Sequence, residues 1–295
     1  MADGTQENGS LFTYRSSDGL MLAARDYAGP TAPAGTVLCL HGLTRNGLDF
    51  DGVAQRLVRG WRVLAPDQRG RGRSAYDPNP ANYNPLVQTA DMWTLLDALG
   101  LERVIVVGTS MGALMAILMA NQQPHRIAGL VLNDAGPEVD PRGLARIQGY
   151  VGKSVRFADW RSATEALAEL HAAAYPTYKL ADWQRLARAT FRASGGGLVP
   201  DYDPAISGSV APGSLPPSLW PVFDVVRAIP TLVMRGALSD LLSEATVEQM
   251  VARLGVSRIT VPDRGHAPDL SEPVAVEALD RFLGREDVRQ RLLPG

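Results

Sequence analysis

Four branched apolar residues, Val104 to Val107, run directly into Gly108-Thr109-Ser110-Met111-Gly112, and the chain continues through the apolar stretch Ala113–Ala120. Branched side chains favour an extended backbone, whereas Ala, Leu and Met favour a helix. The reversal from strand to helix is therefore compressed into five residues around Ser110. So tight a turn holds its central residue in a strained conformation and leaves room only for small residues two positions to either side. Gly108 and Gly112 supply that room, and the Ser110 hydroxyl is expected to project beyond the end of a sheet.

The rest of the chain repeats the same alternation. Apolar runs at Thr36–Leu40, Arg62–Ala65, Gly129–Asn133, Thr231–Met234 and Arg258–Val261 read as strands. Several are apolar on both faces, as central strands of a parallel sheet are. Helical periodicity separates them near Asp51–Arg59, Leu86–Leu99, Ser243–Leu254 and Pro273–Leu283. At the start, Leu11–Tyr14 and Leu20–Tyr27 flank an Asp18-Gly19 turn and read as an antiparallel hairpin. The expected fold class is α/β, a doubly wound and mostly parallel sheet flanked by helices. Between Asn133 and Thr231 no strand is expected; Pro141–Gly149, Trp160–Tyr175 and Leu180–Phe191 read as helices, followed by the Gly/Pro/Ser-rich Gly195–Pro217. The organisation read from this is a core at 1–136, an inserted helical cap at 137–228 and a return to the core at 229–295.

Charge and composition narrow the function classes. Twenty-nine Lys and Arg against 31 Asp and Glu give a formal charge of -2, so no basic field exists for nucleic acid or an anionic membrane. The single cysteine, Cys39, lies in an apolar run and reads as a small buried hydrophobe. Met1–Ser10 has neither a basic segment nor an apolar one, and the longest apolar stretch falls well short of the roughly 18 residues of a membrane span. These features point to a cytoplasmic chain that binds a small molecule, as a monomer or homodimer.

A serine hydroxyl needs a positioned base before it can attack a carbonyl. Of the four histidines, His266 alone follows the cap, on a loop after the last expected strand, where open α/β sheets place their sites. The base needs a carboxylate to fix its tautomer. Asp240, after the strand that precedes His266, is preferred because it completes the order Ser, Asp, His; Asp134, after the strand that follows the Ser110 helix, is read as a turn or capping residue. Asp263 and Asp269 are read as loop or helix-start residues. An oxyanion would be held by the N–H groups of Met111 and of Leu43, in the glycine turn His41-Gly42-Leu43. His41 is expected to pack beneath that loop rather than act as a base.

Leu40-His41-Gly42, Asp67 to Ser74, Gly108 to Gly112, Arg235 to Asp240 and Gly265-His266 occur in this order, and as a set they resemble the α/β-hydrolase superfamily over nearly the whole chain. The resemblance implies an eight-stranded sheet, a lid after the sixth strand and a Ser110–Asp240–His266 triad that needs no cofactor and no metal. It implies hydrolysis of a small or medium carboxylic ester or lactone. Serine at position 110 argues against the epoxide hydrolases and haloalkane dehalogenases of this fold, which use Asp. Carbon–carbon hydrolysis of the meta-cleavage type is the alternative, against which Thr109, Ala113 and Ala267 depart from the usual motif; a ligand receptor without turnover is the other. Asp67–Ser74 reads as an ordered turn behind the site, and Arg45 as either a contact for a substrate carboxylate or a surface arginine.

Overall fold

The structure is a computed structural model and describes residues 9–211, 213 and 218–293. Its strands are β1 (Ser10–Arg15), β2 (Met21–Tyr27), β3 (Thr36–Leu40), β4 (Arg62–Asp67), β5 (Val104–Thr109), β6 (Ile127–Asn133), β7 (Phe191–Ser194), β8 (Gly197–Pro200), β9 (Thr231–Gly236) and β10 (Ser257–Val261). Eight of them form one sheet in the order β1-β2-β4-β3-β5-β6-β9-β10. β1 and β2 pair antiparallel, β2 joins β4 antiparallel, and the pairs from β4 through β10 are parallel. The expected α/β-hydrolase fold is the one observed.

The helices are α1 (Asp51–Leu57), α2 (Pro85–Ala98), α3 (Met111–Gln122), α4 (Pro141–Gln148), α5 (Trp160–His171), α6 (Leu180–Thr190), α7 (Trp220–Phe223), α8 (Glu244–Leu254), α9 (Pro273–Leu283) and α10 (Glu286–Leu292). Alternation along β5 explains the layers. Val104 and Val106 point into a core shared with α2, α3 and α8, while Ile105 and Val107 point into one shared with α1, α9 and α10. Both faces are dry, so β5 and β6 are buried almost throughout. Each fully buried Leu, Ile or Met there contributes about 1.5–3 kcal/mol, which holds the central strands and the loops at their carboxyl ends in place. Cys39 is completely buried among these residues, and burial pushes its thiol up, consistent with an inert packing role.

The segment between β6 and β9 carries α4, α5 and α6, but it is not purely helical. Phe191–Ser194 and Gly197–Pro200 form an antiparallel hairpin, where the sequence reading ended a helix at Phe191 and placed an irregular loop from Gly195. Gly195 and Gly196 have φ of 54 and 78, the left-handed pair that a two-residue hairpin turn requires. Part of the remaining Gly/Pro/Ser-rich stretch, 212 and 214–217, lies outside the described residues. Ala163, Leu167, Ala187, Phe191 and Leu198 make a small core within this insertion. A second cluster, with Ile147, Val151, Tyr202 and Ile206 against Tyr83 and Leu241, joins it to the sheet. Among the described residues no helix is long and apolar enough to cross a membrane.

Candidate active site

β5 ends at Thr109 and α3 begins at Met111, leaving Ser110 as the whole of the turn. Its φ of 55 and ψ of -119 lie in a region that a non-glycine residue occupies only under constraint. The flanking glycines are enforced by contact: a Cβ on Gly108 would stand 2.3 Å from the Gly112 carbonyl oxygen, and one on Gly112 would stand 2.0 Å from that of Leu40. The spacing argument from sequence thus has a steric basis.

His266, on the loop after β10, closes on this turn from the side. The Ser110 Oγ–H donates to His266 Nε2 at 2.8 Å. His266 Nδ1–H donates to Asp134 Oδ2, also at 2.8 Å. Asp134, and not Asp240, therefore stands behind the imidazole, and the sequence expectation is corrected here. Both aspartates follow Ser110 and precede His266, so chain order did not separate them. What separates them is local geometry. Asp134 has φ of 57 and a backbone N–H bonded to Met234 O, which turns its side chain inward over the end of β9. There it is completely buried, and its carboxylate also accepts the Gly236 N–H at 2.8 Å and the Ser239 hydroxyl at 2.6 Å. Three donors converge on one buried carboxylate, as an ionised group in that position requires.

Asp240 is engaged elsewhere. Its two oxygens take Arg146 Nε and Nη2 at 2.6 and 2.8 Å, a bidentate pair with α4. That guanidinium, more than any other group, holds the Asp240 carboxyl below its ordinary range. The Asp240 carbonyl also accepts the Gly143 N–H at 3.0 Å, and a Cβ on Gly143 would strike that carbonyl at 2.6 Å. The loop after β9 is thus docked against α4. Asp269 accepts the Tyr178 hydroxyl and caps the Ser271 turn, in keeping with the loop reading.

The loop after β3 lies on the other side of Ser110, with a would-be Cβ of Gly42 at 3.6 Å from Ser110 Cβ. Met111 is the first residue of α3, where helix N–H groups have no intrahelical acceptor. Leu43 follows the peptide whose carbonyl, Gly42 O, lies 2.7 Å from His41 Nδ1. His41 Nε2 accepts the backbone N–H of Gln68 at 3.1 Å, so the proton sits on Nδ1 and is donated to Gly42 O. His41 is fully buried, and burial lowers it from 6.5 to about 3, keeping it neutral. It braces the loop, as expected. Arg71 Nε donates to Leu43 O at 2.9 Å from the Asp67–Ser74 turn. That turn is itself buried: Asp67 accepts Arg25 and the Gly47 N–H, and Arg69 spans Asp18, Asp77 and Asp91.

Ser110 and His266 open onto a cleft of about 1630 Å³ between the core and the insertion. Trp160, Tyr175, Tyr178, Phe191 and Tyr202 line it; Trp183 packs behind Tyr175 and Tyr178, and Trp220 packs against Phe223. Arg45 is not a free surface residue. Its Nε donates to Asp49 at 2.9 Å and its Nη1 to Thr190 Oγ1, at the end of α6. Sequence reasoning missed the role of Asp134 and passed over Ser239 and Asn46. Asn46 ties the Leu43 loop to the insertion through Ala189 O and Asp201, at 3.1 and 3.0 Å.

A family model described as the alpha/beta hydrolase fold matches residues 35–273. The chain is 36% identical over 279 residues to a protein of Cupriavidus necator named 3-hydroxybutyrate-oligomer hydrolase, with 89% of this chain and 92% of the relative covered. It is 27% identical over 250 residues to the 2-(acetamidomethylene)succinate hydrolase of Mesorhizobium japonicum, covering 84% and 87% of the two chains. Among solved structures, an alpha/beta hydrolase from Novosphingobium aromaticivorans superposes with a TM-score of 0.89 at 42% identity, covering 94% of this chain and 99% of that one.

Proposed function

The chain belongs to the alpha/beta-hydrolase family, and from that premise we propose that it is a serine hydrolase cleaving a carboxylic ester through an acyl-enzyme on Ser110. The observation that carries this reading is the pair of 2.8 Å hydrogen bonds linking Ser110 Oγ, His266 and Asp134. Ser110 Oγ attacks the acyl carbon while His266 Nε2 takes its proton. The Leu43 and Met111 N–H groups hold the oxyanion, each such donor being worth about a hundredfold or more in rate. The bond from acyl carbon to ester oxygen then breaks, and His266 returns the proton to the leaving alcohol. Water attacks the acyl-enzyme with His266 again as base, releasing the acid and restoring Ser110. Asp134 holds the imidazole in the Nδ1–H tautomer and stabilises the imidazolium formed in each half-reaction. The relative from Cupriavidus necator, named for hydrolysis of 3-hydroxybutyrate oligomers, supports an ester over a carbon–carbon bond.

The test is reaction of the folded protein with a fluorophosphonate probe and hydrolysis of p-nitrophenyl esters from acetate to decanoate. Labelling of Ser110, lost in Ser110→Ala, with turnover that varies along the series is the expected result. A folded sample that neither labels nor turns over any ester overturns the reading.

A further inference from the structure

His266 has to meet Ser110 and Asp134 at once, each at 2.8 Å, yet it lies between β10 and α9 in neither strand nor helix. Among the described residues its own backbone makes no hydrogen bond, so its neighbours set its position. The outer neighbours are held by the core. Leu238 N–H donates to Arg264 O at 2.8 Å, and Asn133 Nδ2 donates to Pro268 O at 2.8 Å. The inner neighbours are held by the insertion. Gly265 N–H donates to Ala174 O at 2.6 Å, and the Tyr175 hydroxyl donates to Ala267 O at 2.8 Å. Two consecutive residues of the insertion thus bracket the histidine from either side.

Ala174 and Tyr175 belong to the link between α5 and α6. A Cβ on Gly265 would stand 2.7 Å from Ala174 Cβ, so the glycine before the histidine is what lets the insertion come this close. Tyr175 is itself fixed: its ring stacks on Tyr178 with centroids 4.6 Å apart and stands nearly perpendicular to Trp183 at 6.0 Å. Two more bonds run alongside. Tyr178 donates to Asp269 Oδ2 at 2.5 Å, and Arg264 Nη1 donates to Thr177 Oγ1 at 2.7 Å. Tyr175 and Tyr178 also line the cleft, so the segment that walls the substrate site is the one fastened to the His266 loop. The single O–H of Tyr175 is spent on that loop and not offered to substrate. A reacting group misplaced by about 1 Å can lose about a hundredfold in rate, so a bond one residue from the base bears directly on turnover.

We propose that Tyr175 is a positioning residue for His266, and that the insertion completes the catalytic base by fixing the residue that follows it. This rests on the serine-hydrolase reading above and deepens it. The sheet supplies Ser110 and Asp134, and the wall of the cleft sets the imidazole between them.

Tyr175→Phe keeps the ring and removes only the donor. On p-nitrophenyl acetate, kcat is expected to fall about tenfold, the worth of one hydrogen bond, while KM changes less than about twofold. A second readout needs no turnover. In protein carrying isotope-labelled histidine, the His266 Nδ1–H resonance is identified by its absence from His266→Gln. It is expected to broaden in Tyr175→Phe, as the loop loosens and the proton exchanges faster with water. Unchanged kcat, a rise in KM alone, or an unaltered Nδ1–H line overturns the proposal. If the unmodified protein hydrolyses no ester, the ester reading fails separately and the resonance decides the role of Tyr175.

Discussion

Two neighbouring strands, β6 and β9, both lead into loops that carry an aspartate, and the two aspartates do opposite things. Asp134 is completely buried, bound by Gly236, Ser239 and His266, and among the described residues no Lys or Arg lies against it in hydrogen-bond range. Asp240 is about one-third exposed and is held bidentate by Arg146. The first is organised by neutral donors that leave its charge available to an imidazolium; the second has its charge consumed by a guanidinium. A carboxylate already matched to a permanent cation has little field left to stabilise a transient one. Under the proposed reaction, proximity to the right strand end is therefore insufficient to make a catalytic acid; the charge must be left uncompensated until His266 is protonated.

The comparison is tested most severely by substituting each aspartate with asparagine. Asp134→Asn is expected to lower kcat on a p-nitrophenyl ester by about 10³–10⁴, the loss found when a triad carboxylate is neutralised and the tautomer is wrong. Comparable activity in this variant would remove the distinction altogether. Ser239→Ala takes away one of the three donors to Asp134 and is expected to lower kcat about tenfold, with KM little changed, since the hydroxyl touches the acid and not the substrate. An effect on KM alone would place Ser239 with the substrate instead.

A smaller effect appears in stability against pH. His171 is lowered to about 4 by burial, so the unfolded chain binds its proton near the ordinary 6.5 while the folded one does not. The stabilisation is complete above about 6.5 and is lost as the pH falls towards about 4, at about 1.4 kcal/mol per pH unit. His171→Phe is expected to reduce the acid slope of the unfolding free energy by that amount between pH 6 and pH 4.5, measured by urea titration. An unchanged slope would mean that the imidazole is hydrated in the folded state. The smallest effect belongs to Asp240→Asn: less than about threefold in kcat, and at most about 1 kcal/mol in stability, because the pair with Arg146 is partly screened by solvent. A loss of activity as large as that of Asp134→Asn would restore Asp240 as the acid.

Much of the architecture could be read from the sequence because it is written in local patterns. Val104 to Ala120 specifies strand, turn and helix by side-chain shape alone, and the histidine that follows the last strand had few competitors. The carboxylate partner of His266 was not legible for a physical reason. Asp134 and Asp240 share chemistry and both fit the order along the chain; the deciding facts are a left-handed backbone at Asp134 and an arginine 94 residues away from Asp240 in sequence. The hairpin β7–β8 was missed although Gly195-Gly196 is a hairpin signal, because four-residue strands flanking a glycine-rich turn carry too little alternation to stand out from a loop.

The bonds from the Leu43 loop to the insertion have a further consequence. Asn46 holds Ala189 O and Asp201, Arg45 holds Thr190, and Arg146 holds the loop after β9. Lifting the insertion away as a rigid piece would break all of these contacts together, while the His41 and Arg71 bonds within the core would continue to hold Gly42 O and Leu43 O. Opening of the cleft by that route is therefore expected to be one cooperative step, its cost shared between the Leu43 loop and the loop after β9, rather than a gradual loosening at one edge.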